Sequence, residues 1–250
     1  MNINYHTHTY RCKHAEGADE EYVLHAIDNK FQKLGFSDHV PYPFCPDLSS
    51  RIRMEVSQTG DYVDSVNSLK VKYRDQIQLL LGYEMEYYKD TFSESIDYLE
   101  SFGFDFLILS QHFITGESYP DFTGNLTSDK GRLQEYVKIM IEAMETGRFL
   151  YAGHPDIINY RDDMQYYKAA VKELCEAAKS LNIPLEYNIL GQDEGKCYPY
   201  LPFFEIASDV GNQIILGIDA HRPTAFDNQE SIRKAKQILS EIGIVPITDL

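Results

Sequence analysis

The sequence predicts an α/β fold, and within that class a seven-fold, TIM-barrel-like (β/α) barrel. Two observations carry this. Seven short apolar runs alternate with longer amphipathic stretches, a rhythm in which each crossover helix makes neighbouring strands parallel. Seven of the eight histidines fall at or just beyond the ends of those runs. That is the face on which (β/α) barrels gather their chemistry. An open doubly wound sheet is the alternative, but it places its site at one switch point and does not use every strand end.

The runs at 3–5, 33–36, 77–81, 104–109, 149–152, 184–187 and 213–218 are the expected strands. Continuous apolar stretches such as FLIL and IILGI imply strands buried on both faces. Helices are expected over 18–33, 54–75, 92–102, 129–147, 163–181, 200–210 and 228–242. The helix at 163–181 shows the periodicity most plainly, with Tyr167, Val171, Leu174 and Ala178 on one stripe. The long loop at 39–53 contains three prolines and reads as a lid or pocket wall. With no Gly/Ser linker or low-complexity segment, residues 1–250 are expected to form a single domain.

A net charge of -16 argues against a nucleic-acid backbone as partner, which would need clustered Lys and Arg. Part of the acidity is expected to be offset by bound cations. The four cysteines, Cys12, Cys45, Cys175 and Cys197, form no C-x-x-C pair, so a zinc ribbon or redox motif is not suggested. No run of 18 apolar residues occurs, and the N-terminus lacks the basic and apolar regions of a signal peptide. A cytoplasmic protein with reduced thiols and no membrane contact is the expectation.

The strand ends carry the chemistry. The first gives His6-Thr7-His8, with His14 six residues on. Alternate residues of an extended segment point the same way, so His6 and His8 can grip one cation. The next ends give Ser37-Asp38-His39, Gly82-Tyr83-Glu84-Met85-Glu86, Ser110-Gln111-His112, Gly153-His154-Pro155-Asp156 and, at the seventh, Asp219-Ala220-His221. Imidazole and carboxylate ligands suit zinc, iron, manganese or cobalt without a thiolate. His25, in a predicted helix, reads as a surface or packing residue, and Cys12 as a small buried one.

This ordered series resembles the polymerase-and-histidinol-phosphatase family of metal-dependent phosphoesterases, along essentially the whole chain. The segments NYHTHTYRCKHAEG and GFSDHVPY look most like its histidinol-phosphate phosphatases. The resemblance implies a distorted seven-fold (β/α) barrel holding three divalent ions at the C-terminal ends of its strands. His6, His8, Glu84 and Asp219 would hold the first ion. Glu84, as a bridge, would hold the second with His112 and His154, and His14, His39 and His221 the third. A bridging carboxylate brings two cations to about 3.5–4 Å, the spacing used for phosphate-ester cleavage.

The implied reaction is hydrolysis of a small phosphate ester, L-histidinol phosphate, in histidine biosynthesis. Metal coordination would supply hydroxide at neutral pH. Glu84, Asp219 and His221 are the candidate catalytic residues. Arg161 is expected to reach the mouth and clamp phosphate. After the sixth strand the family commonly carries E-x-N, a Gly with a nearby Arg, and Y-P. This chain has Glu186-Tyr187-Asn188, Gly191 and Tyr198-Pro199, but Lys196 where the Arg is expected. Lys196 can supply a point charge, though not a bidentate fork. Glu186 is a candidate for receiving the amino group of histidinol. Another small phosphomonoester is the alternative substrate, and a non-catalytic metal-binding module the alternative class.

Overall fold

The computed structural model describes residues 1–45 and 50–250. Residues 46–49 of the 39–53 loop therefore lie outside the described residues.

Seven strands form one sheet in unbroken chain order: β1 (Ile3–Asn4), β2 (Lys33–His39), β3 (Gln78–Met85), β4 (Phe106–Leu109), β5 (Tyr151–Ala152), β6 (Leu185–Asn188) and β7 (Ile214–Gly217). Every neighbouring pair is parallel. The sheet curls until its two edges meet. Just past β1 and β7, Thr7 bridges Ala220, the His8 N–H donates to the Ala220 carbonyl at 2.9 Å and the Ala220 N–H to the His6 carbonyl at 3.1 Å. The closure sits at the C-terminal ends of the strands, so it pulls His6, His8, Asp219 and His221 together.

Helices α1 (Asp19–Asp28), α2 (Thr59–Tyr73), α3 (Phe92–Glu100), α4 (Lys130–Glu145), α5 (Met164–Ser180), α7 (Leu201–Val210) and α8 (Gln229–Glu241) match the seven expected ones, most within a few residues. Helix α1 stops about a turn earlier than its apolar pattern suggested, where Lys30 takes a left-handed φ of 66° and turns the chain into β2. Helix α5 buries Tyr167, Val171, Leu174 and Ala178, the expected stripe, and Asp163 caps its N-terminus through the N–H groups of Gln165 and Tyr166. One helix was not anticipated. The short α6 (Ile189–Glu194) follows β6 directly, capped by the Asn188 side chain on the Gly191 N–H.

Most of the core lies between the sheet and the helices. A smaller cluster of Tyr5, Phe106, Ile108, Tyr151 and Ile215 fills the inside of the barrel beneath the mouth. Gly82 makes room for it, because a Cβ there would stand 2.5 Å from the Phe106 ring. The barrel is thus plugged from below, and its polar interior residues gather at the top.

Candidate metal centre

Strand β3 supplies the centre of the site. Side chains two apart on a strand share a face, so Gly82 leaves space for the plug while Glu84 and Glu86 project above it. Glu84 lies in register with His39 on β2. Its carboxylate is 1% exposed. Five imidazoles converge on it: His154 Nε2 and His39 Nδ1 at 2.9 Å, His6 Nε2 at 3.2 Å, His8 Nε2 at 3.5 Å and His112 Nε2 at 3.6 Å. A carboxylate offers about four lone-pair sites, so five such partners exceed what it can accept as hydrogen bonds. Asp219 adds a second carboxylate, its Oδ1 3.1 Å from His8 Nε2 and 3.5 Å from His6 Nε2. Asp219 and His154 both hold positive φ, 56° and 27°, conformations that side-chain-bearing residues keep only where the surroundings fix them.

His14, His39 and His221 form a second group, with one ligand atom from each within 4.8 Å of the others. Here both Nδ1 atoms are committed. His14 Nδ1 lies 2.7 Å from the Cys12 carbonyl and His221 Nδ1 lies 3.0 Å from the Asp219 carbonyl. A carbonyl only accepts, so both Nδ1 atoms carry the proton. The two Nε2 atoms face each other at 2.9 Å, a distance that places a proton or a cation between them.

Two of the other rings are held from behind. His6 Nδ1 donates to Glu186 Oε1 at 2.8 Å, and His112 Nδ1 to Glu86 Oε1 at 3.1 Å. Glu86 is itself clamped by the buried Arg53, at 3.0 and 3.3 Å, and by the Tyr42 hydroxyl at 2.8 Å. Such partners fix the tautomer and orientation of a ligand imidazole. Asp38 accepts from the Thr9 hydroxyl and from the His39 N–H, and stands 3.6 Å from His8 Nδ1. Sequence reasoning put Glu86 near the site but could not pair it with Arg53, which is 33 residues away in the chain.

The donor set fits divalent cations. Two donors each about 2.0–2.2 Å from one ion, at tetrahedral or octahedral angles, stand roughly 2.9–3.6 Å apart. The separations around Glu84 and between His14 and His221 fall in that range. Among the described residues, His6 Nε2, His8 Nδ1, His39 Nδ1, His154 Nδ1, Glu84 Oε2 and Asp219 Oδ1 are buried atoms without a hydrogen-bond partner. Burial alone would raise the carboxyl of Glu84, but His39, His112 and His6 hold it well below its ordinary value. Asp219 is likewise held well down, against burial, by His6, His221 and His8. Burial lowers His39 and His221 well below the usual imidazole range, keeping them neutral as a ligand must be.

The group opens into a cavity of about 750 Å³, the size of a small-molecule site. His8, His14, His39, Glu84, His112, His154, Asp219 and His221 all reach it. All nine expected metal ligands thus sit at one mouth, His6 fully buried just beneath it. Among the described residues, His14 groups with His39 and His221, and His6 with His8 and Asp219, but Glu84 and His154 group with His6, and His112 falls in no group. His39 touches both groups, its Nδ1 toward Glu84, while His112 lies at the edge of Glu84's reach.

Two expectations need correction. Glu186 does not face a substrate. It is 0% exposed, and its oxygens serve His6, the His154 N–H, Asn188 and Tyr151. Gly217 opposite leaves it room, since a Cβ there would stand 1.7 Å from Glu186 Oε1. Arg161 does not reach the mouth in this structure. Its guanidinium donates to the carbonyls of Tyr160 and Cys197 and stacks 3.6 Å over the Tyr200 ring. Lys196 does line the cavity, beside Tyr198, whose ring lies 5.1 Å from that of His154. Helix α6 is the reason. It turns Gln192 toward the Ser231 carbonyl and Asp193 toward the Ser231 hydroxyl. Gly195, at φ 62°, then sends the chain back across the mouth at Lys196.

The PHP domain model matches residues 4–189. A protein of Deinococcus radiodurans named as a probable histidinol-phosphatase is 26% identical over 243 residues, covering 93% of this chain and 92% of its own. The histidinol-phosphatase of Lactococcus lactis is 24% identical over 253 residues, covering 96% and 91%. Among solved structures, the Lactococcus lactis histidinol phosphate phosphatase complexed with zinc, L-histidinol and phosphate superposes with a TM-score of 0.74 at 22% identity, over 98% of this chain and 95% of that one. It shares the barrel. With three quarters of its length matched by the model and every ligand position of the motif series brought to one mouth, the chain belongs to the PHP domain family.

Proposed function

We propose that this chain, acting as one unit over residues 1–250, hydrolyses L-histidinol phosphate to L-histidinol and phosphate with three divalent cations. The observation that carries the reading is the convergence of five imidazoles on the Glu84 carboxylate at the floor of an open cavity, beside the His14–His39–His221 group. His6, His8, Glu84 and Asp219 would hold one ion, Glu84, His112 and His154 a second, and His14, His39 and His221 a third. When bound, such ions activate water as nucleophile and neutralise phosphate oxygens.

The chain's own residues do the rest. Glu186 and Glu86 keep His6 and His112 presenting their Nε2 atoms to the cavity floor. Tyr198 packs beside His154 on the cavity wall. Lys196 is the first candidate to meet the phosphate. Arg161, bonded to the Cys197 carbonyl next to Tyr198, would follow only by releasing its two carbonyls. A cavity above the ligands favours an enzyme over a metal-binding module. The four cysteines are unpaired, which fits the reducing cytoplasmic setting. No helix among the described residues is long and apolar enough to cross a membrane.

Phosphate release from histidinol phosphate and from a panel of other phosphomonoesters, on protein of measured metal content, tests the reading. A kcat/KM for histidinol phosphate well above the rest of the panel is expected. A value no better than that for p-nitrophenyl phosphate rejects the named substrate.

A further inference from the structure

A phosphatase that recognises histidinol phosphate must read a cationic leaving group, and Glu186, buried under His6, cannot do so. One other carboxylate on the cavity wall is built for the task. Glu117 lines the cavity and its side chain is 11% exposed. Arg53 Nε donates to its Oε2 at 2.7 Å and the buried Ser50 hydroxyl to the same oxygen at 2.9 Å. Among the described residues its Oε1 receives one long contact, the Arg51 N–H at 3.3 Å. The carboxylate is therefore fixed in place with an oxygen left to accept.

Its counter-ion is shared. Arg53 serves Glu86 through both terminal nitrogens, at 3.0 and 3.3 Å, and Glu117 through Nε. Arg53 is thus one guanidinium shared between two carboxylates, and Arg51 is the arginine that lines this cavity. Glu194, the other lining carboxylate away from the metal ligands, is half exposed and paired with Lys196 at 3.2 Å. Glu84 and Asp219 belong to the histidine cluster. Apolar side chains of Ile52, Phe113, Phe122 and Ile157 line the same cavity and suit a flat ring.

We propose that Glu117, held by Arg53 and Ser50, is the specificity-determining residue that receives the cationic amine or imidazolium of the substrate's leaving group. The inference rests on the phosphatase reading above. The Glu117–Arg53–Glu86–His112 chain also joins this recognition point to a metal ligand through direct hydrogen bonds.

The test is the ratio of kcat/KM for histidinol phosphate to that for p-nitrophenyl phosphate, whose leaving group carries no cation. It is paired with calorimetric titration of L-histidinol into the metal-loaded protein. Glu117→Gln should lower the ratio at least ten-fold and raise the Kd of L-histidinol by a similar factor. Ser50→Ala, which loosens the carboxylate and keeps its charge, should move both in the same direction by less. Equal loss on both esters, or a ratio and Kd unmoved in both variants, overturns the proposal. If the wild type shows no preference for histidinol phosphate, the named substrate fails. Glu117 is then judged on phosphoethanolamine against glycerol phosphate. Loss of an amine preference in Glu117→Gln supports it, and no change overturns it.

Discussion

His14 and His221 turn their Nε2 atoms toward each other across 2.9 Å, while each Nδ1 is committed to a backbone carbonyl. Two lone pairs at that distance repel unless a proton or a cation lies between them. The carbonyls of Cys12 and Asp219 therefore do more than orient two rings. They favour the tautomer that would let this pair hold the proposed third cation, with His39 as its third member.

Replacing either ring should therefore remove one ion and spare the others. His14→Ala, purified with saturating metal and then desalted, should hold one equivalent fewer than wild type by elemental analysis. A stoichiometry equal to the wild type's would place this ion elsewhere.

Glu84 and Glu86 share a strand face, yet they should fail differently when neutralised. Glu84→Gln weakens two ions together. Each ion contributes several kcal/mol to the reaction, so kcat should fall roughly a thousand-fold or more. Glu86→Gln leaves Arg53 buried with one carboxylate fewer, and breaking a buried ion pair costs about 3–5 kcal/mol. Its main effect should be a lowered unfolding midpoint, with metal content largely kept. Urea unfolding and elemental analysis on both variants decide this, and equal losses of kcat would contradict the assignment.

The two carboxylates also show how far the sequence can be read. The strand-end histidines and the barrel follow from local patterns, periodicity and motif order, because each depends on residues within one βα unit. The partners of those residues do not. Arg53 reaches Glu86 across 33 residues, and Glu186 reaches His6 across 180. Nothing local marks either contact. Glu186 looked like a substrate residue because it opens the E-x-N pattern after the sixth strand. The structure shows that it lies below the mouth, in space that Gly217 leaves open. Arg161 and Lys196 exchange prominence for a similar reason. The short α6 resets the chain after β6, and its six residues were too few to register as a helix.

Glu186 should act on metal affinity. Its Oε1 is the acceptor for His6 Nδ1–H, and loss of such a partner typically costs 10–100-fold in metal affinity, so Glu186→Ala should weaken binding by about that factor. Competition against a chelator measures it. An unchanged metal affinity with a selective loss of amine-bearing substrates would restore Glu186 to the substrate site.

Lys196 should contribute to phosphate binding at the low end of a charge-assisted hydrogen bond, because its side chain is 37% exposed and screened. Lys196→Ala should lower kcat/KM by about ten-fold, and Lys196→Arg should retain most of it. The two substitutions behaving alike would show that the phosphate is met by another group, with Arg161 the next to examine.

The measurement that bears most directly on the central claim is a titration of divalent metal into stripped protein, with phosphate release from histidinol phosphate as the readout. Activity that rises to saturation at three equivalents per chain is the expected result. Saturation at one equivalent, or full activity in the stripped protein, would contradict a three-cation centre built from these strand ends.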